Sequence, residues 1–116
     1  MADPLPAHFH KTSRLHTASE FQAVFENGVR TTGAFFRLHF LVNSGAPKAR
    51  LGLAIPKKAV PLSVARNRIK RICREQFRQT GALAIGDYVL VAQRKAAVAE
   101  NAALRQEIER LFSEHG

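Results

Sequence analysis

Five arginines and one lysine stand among the fourteen residues ARNRIKRICREQFR, Ala65 to Arg78, against a single glutamate. Like charges on adjacent helical turns repel by roughly a few tenths of a kcal/mol per pair, so a run of this density weakens a fold unless an anion binds it. Arginine's planar fork engages phosphate oxygens two at a time, and the acids that would balance the face as i,i+4 pairs are missing. The chemistry on offer is recognition of a polyanion. Residues for catalysis are not assembled in the same way: no serine occupies a nucleophile elbow, there is no Walker loop, Asp3 and Asp87 are the only aspartates, and the five histidines are scattered. The residues do not support hydrolysis by the chain itself, and no metal-ligand set is expected.

The elements that must position this charge follow from periodicity. Thr17-Ala-Ser-Glu20 has the spacing of a capping box, Phe21, Val24 and Phe25 follow at i, i+3, i+4, and Asn27-Gly28 supplies a left-handed stop, which predicts a helix over about 18–27. Phe35 to Val42 alternates as a half-buried strand, with Phe36, Leu38, Phe40 and Val42 on one face and Arg37 and His39 on the other. A turn at 43–47 and a second apolar strand from Arg50 to Ile55 suggest a hairpin. Pro56 and Pro61 bracket a loop carrying Lys57 and Lys58, and the basic helix follows over about 62–79. On that helix Ala65, Ile69, Ile72, Cys73 and Gln76 share one arc, while Asn67, Lys70, Arg71, Arg74 and Arg78 share the opposite one, with Arg66 and Arg68 at the boundary. One side is core and the other is charge.

Tyr88 to Ala92 is a continuous apolar run, as in a central strand buried on both faces, and a last helix over about 98–113 aligns Leu104, Ile108, Leu111 and Phe112. The expected fold is an α/β (α+β) two-layer sandwich, a small mixed sheet packed with about three helices. Residues 1–13 carry Pro4 and Pro6 without periodicity and read as an N-terminal arm; 14–116 read as a single domain.

Composition narrows the partner. The chain has 116 residues and a net charge of +9, and Lys48 to Arg78 alone, with ten Lys or Arg and one acid, accounts for all of it. A lone Cys73 excludes an internal disulfide and fits a reducing cytosol. Met1 to His10 lacks the apolar core of a signal peptide, and no run of about 18 apolar residues could span a bilayer, so a soluble, cytoplasmic protein is expected. Binding to a membrane surface would need free apolar area beside the charge, which this helix commits to the core. A helix-turn-helix needs a helix before the basic one, where a strand and a Pro-flanked loop stand instead, so RNA fits better than DNA.

LGLAIPKKAVPLSVARNRIKRICREQFR, Leu51 to Arg78, resembles the signature of the bacterial ribonuclease P protein component, and RLHTASEFQAVFENGVRTTGAFFRLHF, Arg14 to Phe40, resembles that family's first helix and first long strand. The resemblance implies a left-handed strand-helix-strand crossover. It implies that Arg66, Asn67, Arg68, Lys70, Arg71 and Arg74 contact ribonuclease P RNA, with Lys57 and Lys58 assisting. It further implies that the single-stranded 5′ leader of precursor tRNA lies in a cleft lined by Phe21, Phe25, Arg37 and His39, the last standing where the family often has an aromatic residue. Catalysis and its Mg²⁺ are expected on the RNA subunit, with no membrane or DNA partner. The alternative reading is a structural RNA-binding protein, ribosomal or an assembly factor, with the same basic helix.

Overall fold

A computed structural model describes residues 14, 15, 17–42, 48–81 and 83–114. The expected arm, 1–13, lies outside them. The first helix, α1 (Ala18–Asn27), starts on the anticipated capping box: the Thr17 hydroxyl accepts the Glu20 N–H at 3.2 Å, and the Glu20 carboxylate accepts the Thr17 N–H at 3.0 Å. The stop differs from expectation. Gly28 is extended (φ −84°, ψ 166°), not left-handed. Glycine is required there by contact, because a Cβ would meet the carbonyl oxygens of Val24 at 2.6 Å and Phe40 at 2.8 Å, backbone atoms that cannot yield.

Four strands form one sheet in the order β1-β2-β4-β3: β1 (Val29–Thr32), β2 (Phe36–Val42), β3 (Arg50–Ala54) and β4 (Gly86–Ala92). The β1 strand was not anticipated, since Val-Arg-Thr-Thr, mostly exposed, shows no apolar alternation; it exists through pairing with β2. The expected β2–β3 hairpin does not form. β4 lies between them, antiparallel to β2 and parallel to β3. All seven β4 residues are buried, which demands the centre of the sheet, and a local turn signal carries no information about a strand arriving more than thirty residues later. β3, α2 (Ser63–Gln79) and β4 therefore make a parallel crossover. A 3₁₀ turn (Arg94–Val98) precedes the last helix, and α3 runs Asn101–Ser113, starting three residues after the anticipated position.

The two sheet faces are packed differently. On one, Phe36, Leu38, Phe40, Leu51, Tyr88 and Leu90 meet Ile69, Ile72, Cys73 and Phe77 of α2 and Leu104, Ile108, Leu111 and Phe112 of α3. Each fully buried large side chain contributes about 1.5–3 kcal/mol, so this layer supplies most of the stability. Tyr88 is its hub, with ring centroids 4.5 Å from Phe40, 5.8 Å from Phe112 and 6.1 Å from Phe77. Its hydroxyl donates to the Ala84 carbonyl at 2.6 Å, and burial pushes its pKa up to about 12. α3 is also locked to the sheet by Glu107, whose buried carboxylate accepts the N–H groups of Ala34, Phe35 and Phe36, each at 2.8 Å. The opposite face has a smaller core, Leu15, Val24, Val89 and Val91 with Phe21, Leu41 and Ala54, beneath α1.

Candidate nucleic-acid interface

The α2 arcs agree with the periodicity: Ile69, Ile72 and Cys73 are fully buried, while Asn67, Arg71 and Arg78 are exposed. Cys73 is thereby removed from chemistry, its thiol pKa pushed well up by burial. The anticipated cations divide into three groups. Arg66 and Arg68 make bonds within the chain. Arg66 donates to the carbonyls of Val60 (3.0 Å) and Pro61 (2.8 Å), closing the loop ahead of a helix that has no side-chain cap. Arg68 donates to Ala97 (3.3 Å) and Ala99 (3.2 Å) carbonyls and to Asn101 Oδ1 (2.7 Å), tying α2 to the 3₁₀ turn and the start of α3. Asn67, Arg71, Lys57 and Lys58 point to solvent. The lone acid of the run, Glu75, pairs with Arg105 of α3 at 3.0 Å and only marginally with Arg71 at 4.0 Å, so Arg71 keeps its charge available.

Lys70 and Arg74 form the third group. They are half-buried and turn over the β3 edge into an open pocket of about 260 Å³, lined also by Arg14, Leu15, Phe21 and Leu51 to Leu53. Burial, and then the charge of Arg14, draws the Arg74 guanidinium below its ordinary pKa, the signature of crowded cations that an entering anion would relieve. Phe21, assigned to the leader by resemblance, thus shares a pocket with two residues assigned to the RNA subunit.

On the α1 face, cross-strand register orders the side chains into rows. Arg30, His39, Val89 and Gly52 form one row, and Thr32, Arg37, Val91 and Ala54 the next. α1 lies along the first. Phe25 meets His39 edge-on with centroids 4.9 Å apart, Val24 packs with Val89, and the Phe21 ring descends onto Gly52, where a Cβ would come within 2.7 Å of it. Only glycine allows that ring to reach the sheet. Of the four resemblance-assigned residues, Phe25 touches His39, Phe21 lies 6.5 Å from Phe25 between ring centroids, and Arg37 follows His39 on the same face of β2 in the second row. Phe25, 43% exposed, is free to stack.

The α1 N-terminus is fixed by a network that sequence reading missed. Arg50 donates bidentately to Asp87 (2.8 Å twice) and through its third nitrogen to Glu20 at 3.1 Å, and Glu20 is the capping-box acid. Arg50 had been counted only as part of the basic field, and its partners are 30 and 37 residues away, beyond any local pattern. Among the described residues no group of three His, Cys, Asp or Glu side chains is close enough to hold a metal ion, and no helix is long and apolar enough to cross a membrane.

The sequence and the fold have counterparts in known proteins. The family model described as Ribonuclease P matches residues 9–116. The chain belongs to the ribonuclease P protein family. The ribonuclease P protein component of Xanthomonas oryzae pv. oryzae is 38% identical over 109 residues, covering 93% of this chain and 74% of the relative. That of Pseudomonas paraeruginosa is 41% identical over 108 residues, covering 90% and 78%. The solved ribonuclease P protein of Thermotoga maritima superposes with a TM-score of 0.76 at 26% identity, covering 87% of this chain and 96% of that one. The Staphylococcus aureus protein superposes with a TM-score of 0.81 at 23% identity, covering 88% and 94%, a likeness of fold. Membership in the ribonuclease P family makes the chain a protein subunit of a tRNA-processing ribonucleoprotein.

Proposed function

We propose that the outward face of α2, Asn67, Lys70, Arg71 and Arg74 with Lys57 and Lys58, binds ribonuclease P RNA, and that the groove between α1 and the sheet holds the single-stranded 5′ leader of precursor tRNA. Arg66 and Arg68 serve this surface by fixing the two ends of the loop and turn around α2. The observation that carries the reading is the pocket shared by Phe21, Lys70 and Arg74: the aromatic groove and the basic helix are one continuous surface at the β3 edge. A single strand leaving a duplex bound on α2 would enter the groove without leaving positive charge.

Endonucleolytic removal of the leader then belongs to the RNA subunit and the Mg²⁺ it holds, in the cytoplasm. The protein offsets phosphate repulsion and adds contacts to a segment that the product lacks, which favours precursor over mature tRNA. Leader cleavage at low Mg²⁺ is the test, with this protein alone, a bacterial ribonuclease P RNA alone, and the two combined. Cleavage only in the combination is expected. Confirmed RNA binding without any gain in cleavage would instead establish a purely structural RNA-binding role.

A further inference from the structure

One end of the molecule combines exposed aliphatic side chains with uncommitted cations. In the parallel pair β3–β4, Ala54 stands opposite Val91, so Lys57 and Arg94 both lie three residues past the same rung, each followed by a lysine, Lys58 and Lys95. α2 begins at this end. Leu62, Val64 and Val98 are 70%, 78% and 87% exposed. Arg68, one helical turn after Val64, donates to the carbonyls of Ala97 and Ala99 on either side of Val98, which carries that valine toward the start of α2. Segments 55–64 and 93–101 hold the four cations against one acid, Glu100. Among the described residues none of the four cations forms an ion pair or a side-chain hydrogen bond. Sequence periodicity committed the apolar arc of α2 to the core and left no apolar area beside the charge. Leu62 and Val64 precede that arc, and Val98 comes from the turn after β4, so free apolar area stands beside the cations after all.

We propose that this end of the molecule docks on an anionic lipid surface, with Leu62, Val64 and Val98 entering the boundary between headgroups and acyl chains and Lys57, Lys58, Arg94 and Lys95 lying among the headgroup phosphates. Charge and composition select this occupant. A second copy of the chain would set like charges face to face. The buried centres of protein interfaces are rich in aromatic residues and arginine and poor in lysine, whereas these two segments carry three lysines and no aromatic ring. RNA would satisfy the cations and leave three protruding aliphatic groups in water. An anionic bilayer answers both demands, because each Lys or Arg near its surface adds attraction and each aliphatic group leaves water. Arg94 and Lys95 are not among the cations proposed for RNA, so part of this charge stays available when α2 is occupied.

The test is sedimentation of the full chain with vesicles of phosphatidylcholine containing about one-third phosphatidylglycerol, near physiological ionic strength. Wild type is expected to bind these and not pure phosphatidylcholine. Leu62→Ser/Val64→Ser/Val98→Ser should weaken binding about a hundredfold, and Arg94→Gln/Lys95→Gln roughly tenfold, with thermal midpoints unchanged because all five side chains are exposed. Insertion has its own readout. Cys73 is fully buried, so Val98→Cys takes a polarity-sensitive fluorophore selectively, and its emission should shift to the blue on anionic vesicles. Equal binding by the triple serine variant, without that shift, would reduce the contact to electrostatic adhesion of a basic protein and overturn the proposal. Failure of wild type to bind would overturn it as well. If the serines leave vesicle binding intact, three further results would name the occupant instead. Lost affinity for ribonuclease P RNA would give the patch to RNA, a wild-type dimer that the variant lacks would give it to a second copy, and a fluorophore that answers a synthetic acidic amphipathic helix but not vesicles would give it to an acidic protein.

Discussion

The two faces of the sheet use the same strands for opposite ends. Under α2 and α3, Phe36, Leu38, Phe40, Leu51, Tyr88 and Leu90 meet apolar side chains, and two buried polar groups are satisfied: Tyr88 by Ala84, and Glu107 by three backbone amides. Under α1, the same alternation presents Arg37, His39, Gly52 and the Arg50–Asp87 pair, and one guanidinium nitrogen, Arg37 Nε, is buried without a partner among the described residues. A face that is fully satisfied can only be stable. The α1 face leaves Phe25 43% exposed and Arg37 Nε without an acceptor among the described residues, and acceptors and stacking partners of that kind are what the proposed nucleic acid strand would supply.

If that division holds, variants on the two faces should fail in different assays. The largest loss is expected from Glu107→Ala, which strands three amides at the β1–β2 connection and should lower unfolding free energy by about 3 kcal/mol in urea titrations, with precursor preference retained by the folded fraction. Phe21→Ala with Phe25→Ala should do the reverse. Stacking lost at about 1–3 kcal/mol per base would cut the preference for precursor over mature tRNA by roughly tenfold or more, at a much smaller cost to the midpoint of unfolding. Equal loss for both RNAs would erase the contrast between the faces.

Within α2 the same contrast appears on a smaller scale. Arg68→Ala should cost about 1 kcal/mol of stability through its three bonds to 97–101. Arg71→Gln should leave stability unchanged and flatten the salt dependence of RNA binding by about 0.7–0.9 in log–log slope, one phosphate contact. Interchanged results would show that Arg68, not Arg71, meets the RNA. The smallest effect concerns His39. Partial burial, then the charges of Arg37 and Arg30, hold its pKa below the ordinary 6.5. The unfolded chain thus binds the proton more readily, so the His39 contribution to stability is present above 6.5 and is lost as pH falls from there through the lower folded value. NMR titration of the ring should show that depressed pKa, moving back up in Arg37→Met.

The capping box of α1, the core and charge arcs of α2 and the buried run of β4 were all legible, because each is written in residues three or four apart or in one unbroken segment. The clustering of charge between Lys48 and Arg78 was enough to name a polyanion, and the resemblance to name a family. Strand order was not legible: β4 displaced the expected hairpin, and β1 had no pattern of its own. Arg68 looks like Arg71 in the sequence, yet the carbonyls of Ala97 and Ala99, 29 and 31 residues away, take up donors of its guanidinium. Local periodicity determined what the segments of α1, α2 and β4 became and which sign of partner α2 wanted. Only the assembled sheet decided which cations remained available, because pairings across 30 or more residues depend on which elements become neighbours, and that is settled by the competition for the centre of the core.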